Sequence, residues 1–251
     1  MIKSRSQINQ LLTLGLVLVL ACAALPVLAL VYDFEDRAQL DDWQIFGPAE
    51  WRIEDGVLIC EGLGGLGGAI VPQKDKGRQA QRMELKNIVF SDGTFEFKIL
   101  FMKGKNHEGG VFYRWQDVAN WYNTHPSFKK CAGGGIDGVR WMSMKKGKLM
   151  WLPGPGVSNI EVKPKECFKK WFEFKVVAKG QRHQTFVDGK KLFDEEDAAF
   201  KEGKFVVAMW SSSAEVFAID DLKIEGKGIP QAVTLAGKLT TTWGRLKTNH
   251  R

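Results

Sequence analysis

The chain has 251 residues, of which 44% are hydrophobic and 26% are charged, and its formal net charge is +7. This ordinary globular composition excludes a disordered chain, a collagen and a pure coiled coil. The charge is too small and too dispersed along the sequence to indicate nucleic-acid binding. The 27 glycines favour a turn-rich β protein, and the nine tryptophans raise the expectation of a ligand-binding one, because tryptophan also stacks on sugars and bases.

The N-terminal segment is organised like a signal peptide. Lys3 and Arg5 precede an apolar run, Leu11–Ala24, and Val27-Leu28-Ala29 is a small-residue cleavage pattern. We expect residues 1–29 to be removed and the protein to be exported to the periplasm or the extracellular space. An uncleaved N-terminal anchor is the main alternative. No second apolar segment is long enough to span a bilayer, so no membrane span is expected in the mature chain.

Alternation of apolar and polar residues dominates from Val31 to about Glu225. Thr94–Ile99 and Trp171–Val176 alternate strictly, which predicts strands with one buried and one solvated face. Turn signals separate the strand-like runs, and Asp188-Gly189 is the strongest hairpin signal. Four aromatic side chains should be buried between two sheets: Phe95, Phe97, Phe172 and Phe174.

About a dozen short strands without alternating helices indicate a sandwich. We predict an all-β protein, a two-sheet antiparallel jelly-roll sandwich over residues 30–225. Residues 226–251 form a separate tail with five basic and no acidic residues. This tail is either a frayed terminus or a surface-attachment segment in which Trp243 is the one large apolar side chain.

The cysteines do not form a disulfide framework. Cys22 lies in the leader, where a poor lipobox makes a lipoprotein the weaker reading of that segment. Cys60, Cys131 and Cys167 allow at most one internal bridge, and the sequence leaves the pair open. Gly62–Gly67 fits G-x-G-x-x-G, but a short strand stopped by proline follows it, which argues against a nucleotide site.

The stretch Gly109–Tyr122 is dense in aromatic and planar polar side chains. Rings stack on the apolar face of a sugar, and guanidinium and amide groups bond its hydroxyls. We expect Val111, Tyr113 and Trp115 to share one strand face, and the strand to end at Asp117 so that Asn120–His125 lies in a loop. The predicted ligand cleft consists of Arg114, Asn120, Trp121, Tyr122, His125 and Trp141. The alternative is that one face is core and Arg114 pairs with a carboxylate.

Several motifs in this order resemble the concanavalin A-like jelly rolls of laminin-G-like type, including the bacterial 3-keto-disaccharide hydrolase domain. The motifs are Asp33-Phe34-Glu35, Trp51–Leu58, Gly110–Arg114, Val187-Asp188-Gly189 and Phe217–Ile224. The resemblance implies two packed sheets and a sugar-type ligand. The E-x-D-x-x-E triplet of family 16 glucanases is absent from this chain.

The resemblance also implies that a structural calcium ion binds where the first and last strands meet, with Asp33, Glu35 and Asp220 as oxygen ligands. Ordinary surface charge is the alternative. A hydrolase on this fold would draw its acid or base from Glu108, Asp117, His107 or His125. Three functions therefore compete: a secreted carbohydrate-binding protein, a glycoside hydrolase of the 3-keto-disaccharide type, and a cell-surface interaction domain attached through its tail.

Overall fold

The computed structural model describes residues 29–63, 81–104, 109–128, 137–152, 160, 166, 168–209 and 214–229. In chain order the first strands are β1 (Leu30–Tyr32), β2 (Trp43–Phe46), β3 (Glu50–Glu54), β4 (Val57–Glu61), β5 (Arg82–Leu85), β6 (Gly93–Lys103), β7 (Gly109–Asp117) and β8 (Asn120–Phe128). The remaining strands are β9 (Asp137–Lys145), β10 (Lys148–Leu152), β11 (Phe172–Lys179), β12 (Arg182–Val187), β13 (Lys190–Glu196), β14 (Lys204–Met209) and β15 (Val216–Gly226). One 3-10 helix, Arg37–Asp42, joins β1 to β2.

The strands form two antiparallel sheets, as the alternation predicts. The eight-stranded sheet has the order β13-β12-β11-β6-β15-β4-β3, with β1 paired to β15. The seven-stranded sheet has the order β10-β9-β8-β7-β14-β5-β2. Non-consecutive neighbours such as β6 and β15 bring distant parts of the chain together, which is typical of a jelly roll.

Aromatic side chains fill the space between the sheets. Phe174 pairs with Phe97 in the register of β11 and β6, and their rings stack at 5.0 Å. Phe95 reaches the opposite sheet, where its ring centroid lies 5.1 Å from that of Phe205. The four side chains expected in the core are each at most 2% exposed, which confirms the predicted strand register.

The Asp188-Gly189 hairpin is also confirmed. β12 ends at Val187 and β13 begins at Lys190, so the connection has two residues. Both have positive φ, 49° for Asp188 and 76° for Gly189. This is the combination that a type I′ turn requires.

Several sequence predictions fall on residues outside the described ranges. Residues 1–28, which hold most of the predicted signal peptide, and residues 230–251 of the tail are among them, as are Cys131 and Cys167. Cys60 is described and carries a free, buried thiol. Within the described ranges, no helix combines the length and the apolar character needed to cross a bilayer.

Candidate functional site

The stretch Gly109–Tyr122 covers β7, the turn after it and the start of β8. A bulge at Arg114 determines which face of the sheet its side chains occupy. The loop expected from Asn120 is wrong: β7 ends at Asp117, two residues turn, and β8 begins at Asn120. Arg114 has a φ of 48°, and the register shifts between Tyr113 and Asp117. A bulge of this kind redirects the side chains that follow it.

Because of this bulge, Trp115 does not share a face with Val111 and Tyr113 as expected. Val111 and Tyr113 lie in the core between the sheets. Trp115 belongs to a second apolar cluster with Phe112 and Trp121, on the other face of the seven-stranded sheet. We call this other face the outer face.

Arg114 is buried and ties together connections at one end of the sandwich. Its side chain is 1% exposed. Its guanidinium donates to the carbonyl oxygens of Ser91, Gly180 and Phe200 at 2.9 to 3.1 Å and to Asp92 Oδ1 at 3.1 Å. Arg114 therefore does not line an open cleft. The alternative reading, pairing with a carboxylate, is the arrangement found, and the four bonds offset the cost of burying the charge.

Tyr122 and Trp141 face inward, where they join a hydrogen-bonded chain between the sheets. Trp141 Nε1 donates to the Tyr113 hydroxyl at 2.9 Å, and that hydroxyl lies 3.1 Å from His183 Nδ1. His183 Nε2 lies 3.0 Å from the Asp197 carbonyl oxygen. Since a carbonyl only accepts, Nε2 carries the proton. Burial lowers the pKa of His183 and keeps the imidazole neutral, so Nδ1 accepts from the Tyr113 hydroxyl.

Asp197 closes this chain. Tyr122 donates its hydroxyl proton to Asp197 Oδ1 at 2.7 Å, and Lys145 forms an ion pair with the other carboxylate oxygen. Burial raises the pKa of Asp197, but the bonds from Lys145, Tyr122 and the Ala199 amide outweigh it and leave the pKa lowered. Burial lowers the pKa of His183 to about 4. Sequence reasoning gave little weight to His183 because an isolated histidine carries no motif.

The other predicted site residues do not join one cleft. Asn120 bonds both carboxylate oxygens of Asp117 and accepts from the Lys146 amide, so it holds the β7–β8 turn. Trp121 is fully buried against Phe112, with ring centroids 4.9 Å apart. Among the predicted ligand residues, Trp121 and Tyr122 thus lie on opposite faces of one sheet, and the single cleft is wrong as a geometric prediction.

The structure gives little or no information on the side chains of three further predicted residues, His107, Glu108 and His125. His125 pairs in register with Arg140, and its side chain lies outside what the structure describes. The proposed acid and base His107 and Glu108 also lie outside the described ranges. Asp117 is exposed and accepts from the Ala119 amide at 2.7 Å. Its role as an acid or base stays a prediction.

The three predicted calcium ligands do not form a binding group. Asp33 Oδ1 accepts from Gln39 Nε2 at 2.7 Å. Burial, with the charges of Asp221 and Glu35 nearby, raises the pKa of Asp220. Among the described residues no three His, Cys, Asp or Glu side chains are placed to hold a metal. Calcium binding by these three residues stays a prediction.

The outer face carries a cluster that sequence reasoning missed. Arg82 lies over the Phe46 ring, with 4.0 Å from its guanidinium carbon to the ring centroid, and 5.6 Å from the Trp115 ring. Its Nε donates to Glu84 Oε1 at 2.8 Å. Lys204 forms an ion pair with the other oxygen of Glu84. We call these five residues, Phe46, Arg82, Glu84, Trp115 and Lys204, the Arg82 cluster.

The strand positions explain how the Arg82 cluster forms. Phe46 on β2 is opposite Arg82 on β5, and Lys204 on β14 is opposite Trp115 on β7. Arg82 and Glu84 are two residues apart on one strand, so they share a face. The alternation in Arg82-Met83-Glu84-Leu85 could have predicted that face, but not which strands lie beside it.

The members of the Arg82 cluster differ in their exposure to solvent. Trp115 is 2% exposed and Glu84 is 3% exposed. The Lys204 side chain is 51% exposed, Phe46 is half-buried, and the Arg82 side chain is 13% exposed. A ligand can therefore reach the Phe46 ring and the Lys204 ammonium group from solvent, while the mostly buried Arg82 and the buried tryptophan and carboxylate hold them in place.

Comparison with known proteins identifies the family. A sequence profile described as the 3-keto-alpha-glucoside-1,2-lyase-like domain matches residues 32–225. The carbohydrate-binding module CBM66 from Bacillus subtilis is 18% identical, with a TM-score of 0.54, and the match covers 74% of this chain and 96% of that one. No curated protein sequence matches the chain.

Glycosidase structures have the same architecture. A Bacillus licheniformis beta-glucanase is 9% identical with a TM-score of 0.52, covering 79% of this chain and 98% of that one. An endo-beta-galactosidase from Clostridium perfringens is 11% identical with a TM-score of 0.56, covering 82% and 65%. At these identities the likeness is one of fold. The family match spans most of the chain, so this protein belongs to the 3-keto-alpha-glucoside-1,2-lyase-like domain family, on a jelly-roll sandwich that carbohydrate-binding modules and glycosidases share.

Proposed function

We propose that this protein binds carbohydrate on the outer face of the seven-stranded sheet, at the Arg82 cluster. The observation that carries the proposal is the Arg82 guanidinium held against the Phe46 ring, with Glu84 and Lys204 beside it. A sugar ring offers an apolar C–H face and a circle of hydroxyls. The cluster offers a half-buried ring for that face and planar and charged groups for those hydroxyls.

The preset geometry of the Arg82 cluster also supports binding. Arg82 is held by Glu84 on one side and by two rings, and Glu84 is held by Arg82 and Lys204. Side chains that are already fixed lose little conformational entropy when a ligand arrives. Because the Arg82 cluster contains one carboxylate, it lacks the pair that classical glycoside hydrolysis uses. Binding is therefore the function that its geometry supports best.

The family match favours a second candidate function, cleavage of a 3-keto-glucoside by elimination. A carbonyl at C3 acidifies the C2–H bond. A base that takes this proton forms an enolate, whose collapse breaks the bond from C1 to the leaving oxygen, and a proton is returned to that oxygen. Glu84 is 3% exposed and bonded to Arg82 and Lys204, so it cannot reach the substrate. Asp117, the exposed candidate base at the β7–β8 turn, would accept the C2 proton, and Lys204 would stabilise the enolate oxygen.

A glycan array followed by product analysis tests both functions. Binding predicts that some glycans are retained and recovered intact. Elimination predicts an unsaturated keto-sugar from a 3-keto-glucoside, and Asp117→Asn should abolish this product while retention persists. A protein that retains no glycan and cleaves no 3-keto-glucoside would overturn both.

Export and surface attachment are part of the proposal. The basic residues, apolar run and cleavage pattern within residues 1–29 support removal of this segment and a role outside the cytoplasm. Mass spectrometry of the exported protein should give an N-terminus at Leu30. The basic tail would hold the protein at a cell surface, so deletion of residues 230–251 should release it into the medium.

A further inference from the structure

A pocket of about 540 Å³ opens among the connections at one end of the sandwich. Four connections line it: Ser91–Asp92 before β6, Gly180–Gln181 between β11 and β12, residues 198–202 between β13 and β14, and Lys227 after β15. We call this the rim pocket. Its volume falls within the range of small-molecule sites. Loops at the end of a rigid sandwich are also where binding sites concentrate.

The walls of the rim pocket are fixed by hydrogen bonds rather than by loose loops. Arg114 lies behind them and donates to the carbonyl oxygens of Ser91, Gly180 and Phe200. The Asp92 carboxylate accepts from the Gly180 amide at 2.8 Å as well as from Arg114. Three of the four connections are thus held by one buried guanidinium. The pocket keeps its shape without a ligand, which reduces the entropy lost on binding.

The fourth connection and the 198–202 loop are held in the same way. The Lys227 amide donates to the Asp92 carbonyl at 2.9 Å, and Ser91 Oγ donates to the Lys227 carbonyl at 3.2 Å. The Phe200 amide donates to the Tyr122 hydroxyl at 3.1 Å. Phe200 therefore presents its half-buried ring from an anchored backbone.

The lining groups select the kind of ligand. Lys201 and Lys227 are balanced by Asp92 and Glu202, and the further charge of Arg114 is buried behind the wall. The exposed lining therefore has no excess charge to hold a phosphate or another strong anion. Gln181 adds an amide that both donates and accepts, and Phe200 adds an apolar face. Hydroxyl groups use donors and acceptors together, and a C–H face uses the ring. A neutral polyhydroxylated ring satisfies all of these groups at once.

We propose that the rim pocket is a second carbohydrate site, which takes a single neutral sugar residue. It shares no lining residue with the Arg82 cluster. The proposal rests on the proposed function only for the class of ligand. Its residues are different, so either site can fail without the other.

Backbone amide chemical shifts during titration with glucose test the rim pocket. Saturable shifts are expected at Gly180, Gln181 and Lys227. The double variant Gln181→Ala, Lys227→Ala removes two exposed side chains and should weaken the affinity by about tenfold, the effect of one or two lost hydrogen bonds. Lys190→Ala, at the exposed start of β13 and outside the pocket lining, is the control and should leave the affinity unchanged.

Two results would overturn the rim site. One is the absence of shifts at these amides through the millimolar range of glucose. The other is a set of shifts that the double variant and the control leave equally intact. Shifts confined to β2, β5 and β14 would support the Arg82 cluster and refute the rim pocket, whereas rim shifts without them would do the reverse.

Discussion

Arg114 and Arg82 have the same side chain beside aromatic residues, and their surroundings give them different roles. Arg114 is buried and donates to three carbonyls and a carboxylate, so it fastens loops. Arg82 is 13% exposed and packs on the Phe46 ring, so it fixes that ring at the outer face, where a ligand can contact it. The composition of Gly109–Tyr122 predicted that an arginine would matter there. It could not distinguish these roles, because the partners of Arg114 are up to 86 residues away in sequence.

Replacing Arg114 should destabilise the protein rather than change a binding step. Arg114→Ala leaves the carbonyls of Ser91, Gly180 and Phe200 without their donor and should lower the free energy of unfolding by about 3 kcal/mol. Chemical denaturation measures this. Arg52→Ala, which removes partly exposed ion pairs with Glu54 and Glu61, is the control and should cost less than about 1 kcal/mol. Equal losses for the two variants would refute the structural role of Arg114.

At the scale of elements, alternation predicted the strands that pack in the core, and local sequence failed at the bulge. Thr94–Ile99 and Trp171–Val176 lie in or next to β6 and β11, with the predicted faces. The β7 bulge depends on a positive φ at an arginine, which is unfavourable locally and is stabilised here by tertiary hydrogen bonds. Because of this bulge at Arg114, Trp115 lies on the outer face instead of in the core. The candidate site was therefore misplaced although its segment was recognised.

Two glycines, one where paired strands touch and one in an open turn, should respond differently to replacement by alanine. A Cβ on Gly93 would lie 2.0 Å from the Glu225 carbonyl oxygen, so Gly93→Ala must separate β6 from β15 and should cost about 3 kcal/mol. A Cβ on Gly189 meets no atom within 4 Å, so only its positive φ opposes alanine, at about 1 kcal/mol. Thermal or chemical unfolding measures both. A Gly189→Ala loss as large as that of Gly93→Ala would contradict the strand pairing.

At the scale of the whole molecule, hydrogen bonds join the two sheets inside an otherwise apolar core. Tyr113 on the seven-stranded sheet bonds His183 on the eight-stranded sheet, and Thr124 lies 3.3 Å from Thr185 between their hydroxyl oxygens. Such pairs fix how one sheet lies on the other, because a shifted sheet would leave buried polar groups without partners. The sequence could not predict this network, since its members come from strands far apart in the chain.

This network predicts a loss of stability in acid. The pKa of His183 is about 4 in the folded protein against 6.5 when unperturbed, so between these pH values the unfolded chain takes up a proton that the folded protein does not. Stability should fall as pH falls through this window, by up to about 3 kcal/mol. Asp197, whose pKa is lowered, adds a further loss at lower pH. Unfolding measured from pH 7 to 4 checks the slope. His183→Gln should flatten it, and an unchanged slope would rule out this assignment.

The central claim is that carbohydrate binds at the Arg82 cluster, and calorimetric titration of two neighbouring variants tests it most directly. Phe46 and Ile45 are adjacent on the edge strand β2 and point to opposite faces. With the best glycan from the array, Phe46→Ala should weaken binding by about tenfold, because the ring that would stack on the sugar is lost. Ile45→Ala, which removes a side chain that is 45% exposed, should leave the affinity unchanged. Unchanged affinity in both variants, with both folded, would contradict the claim.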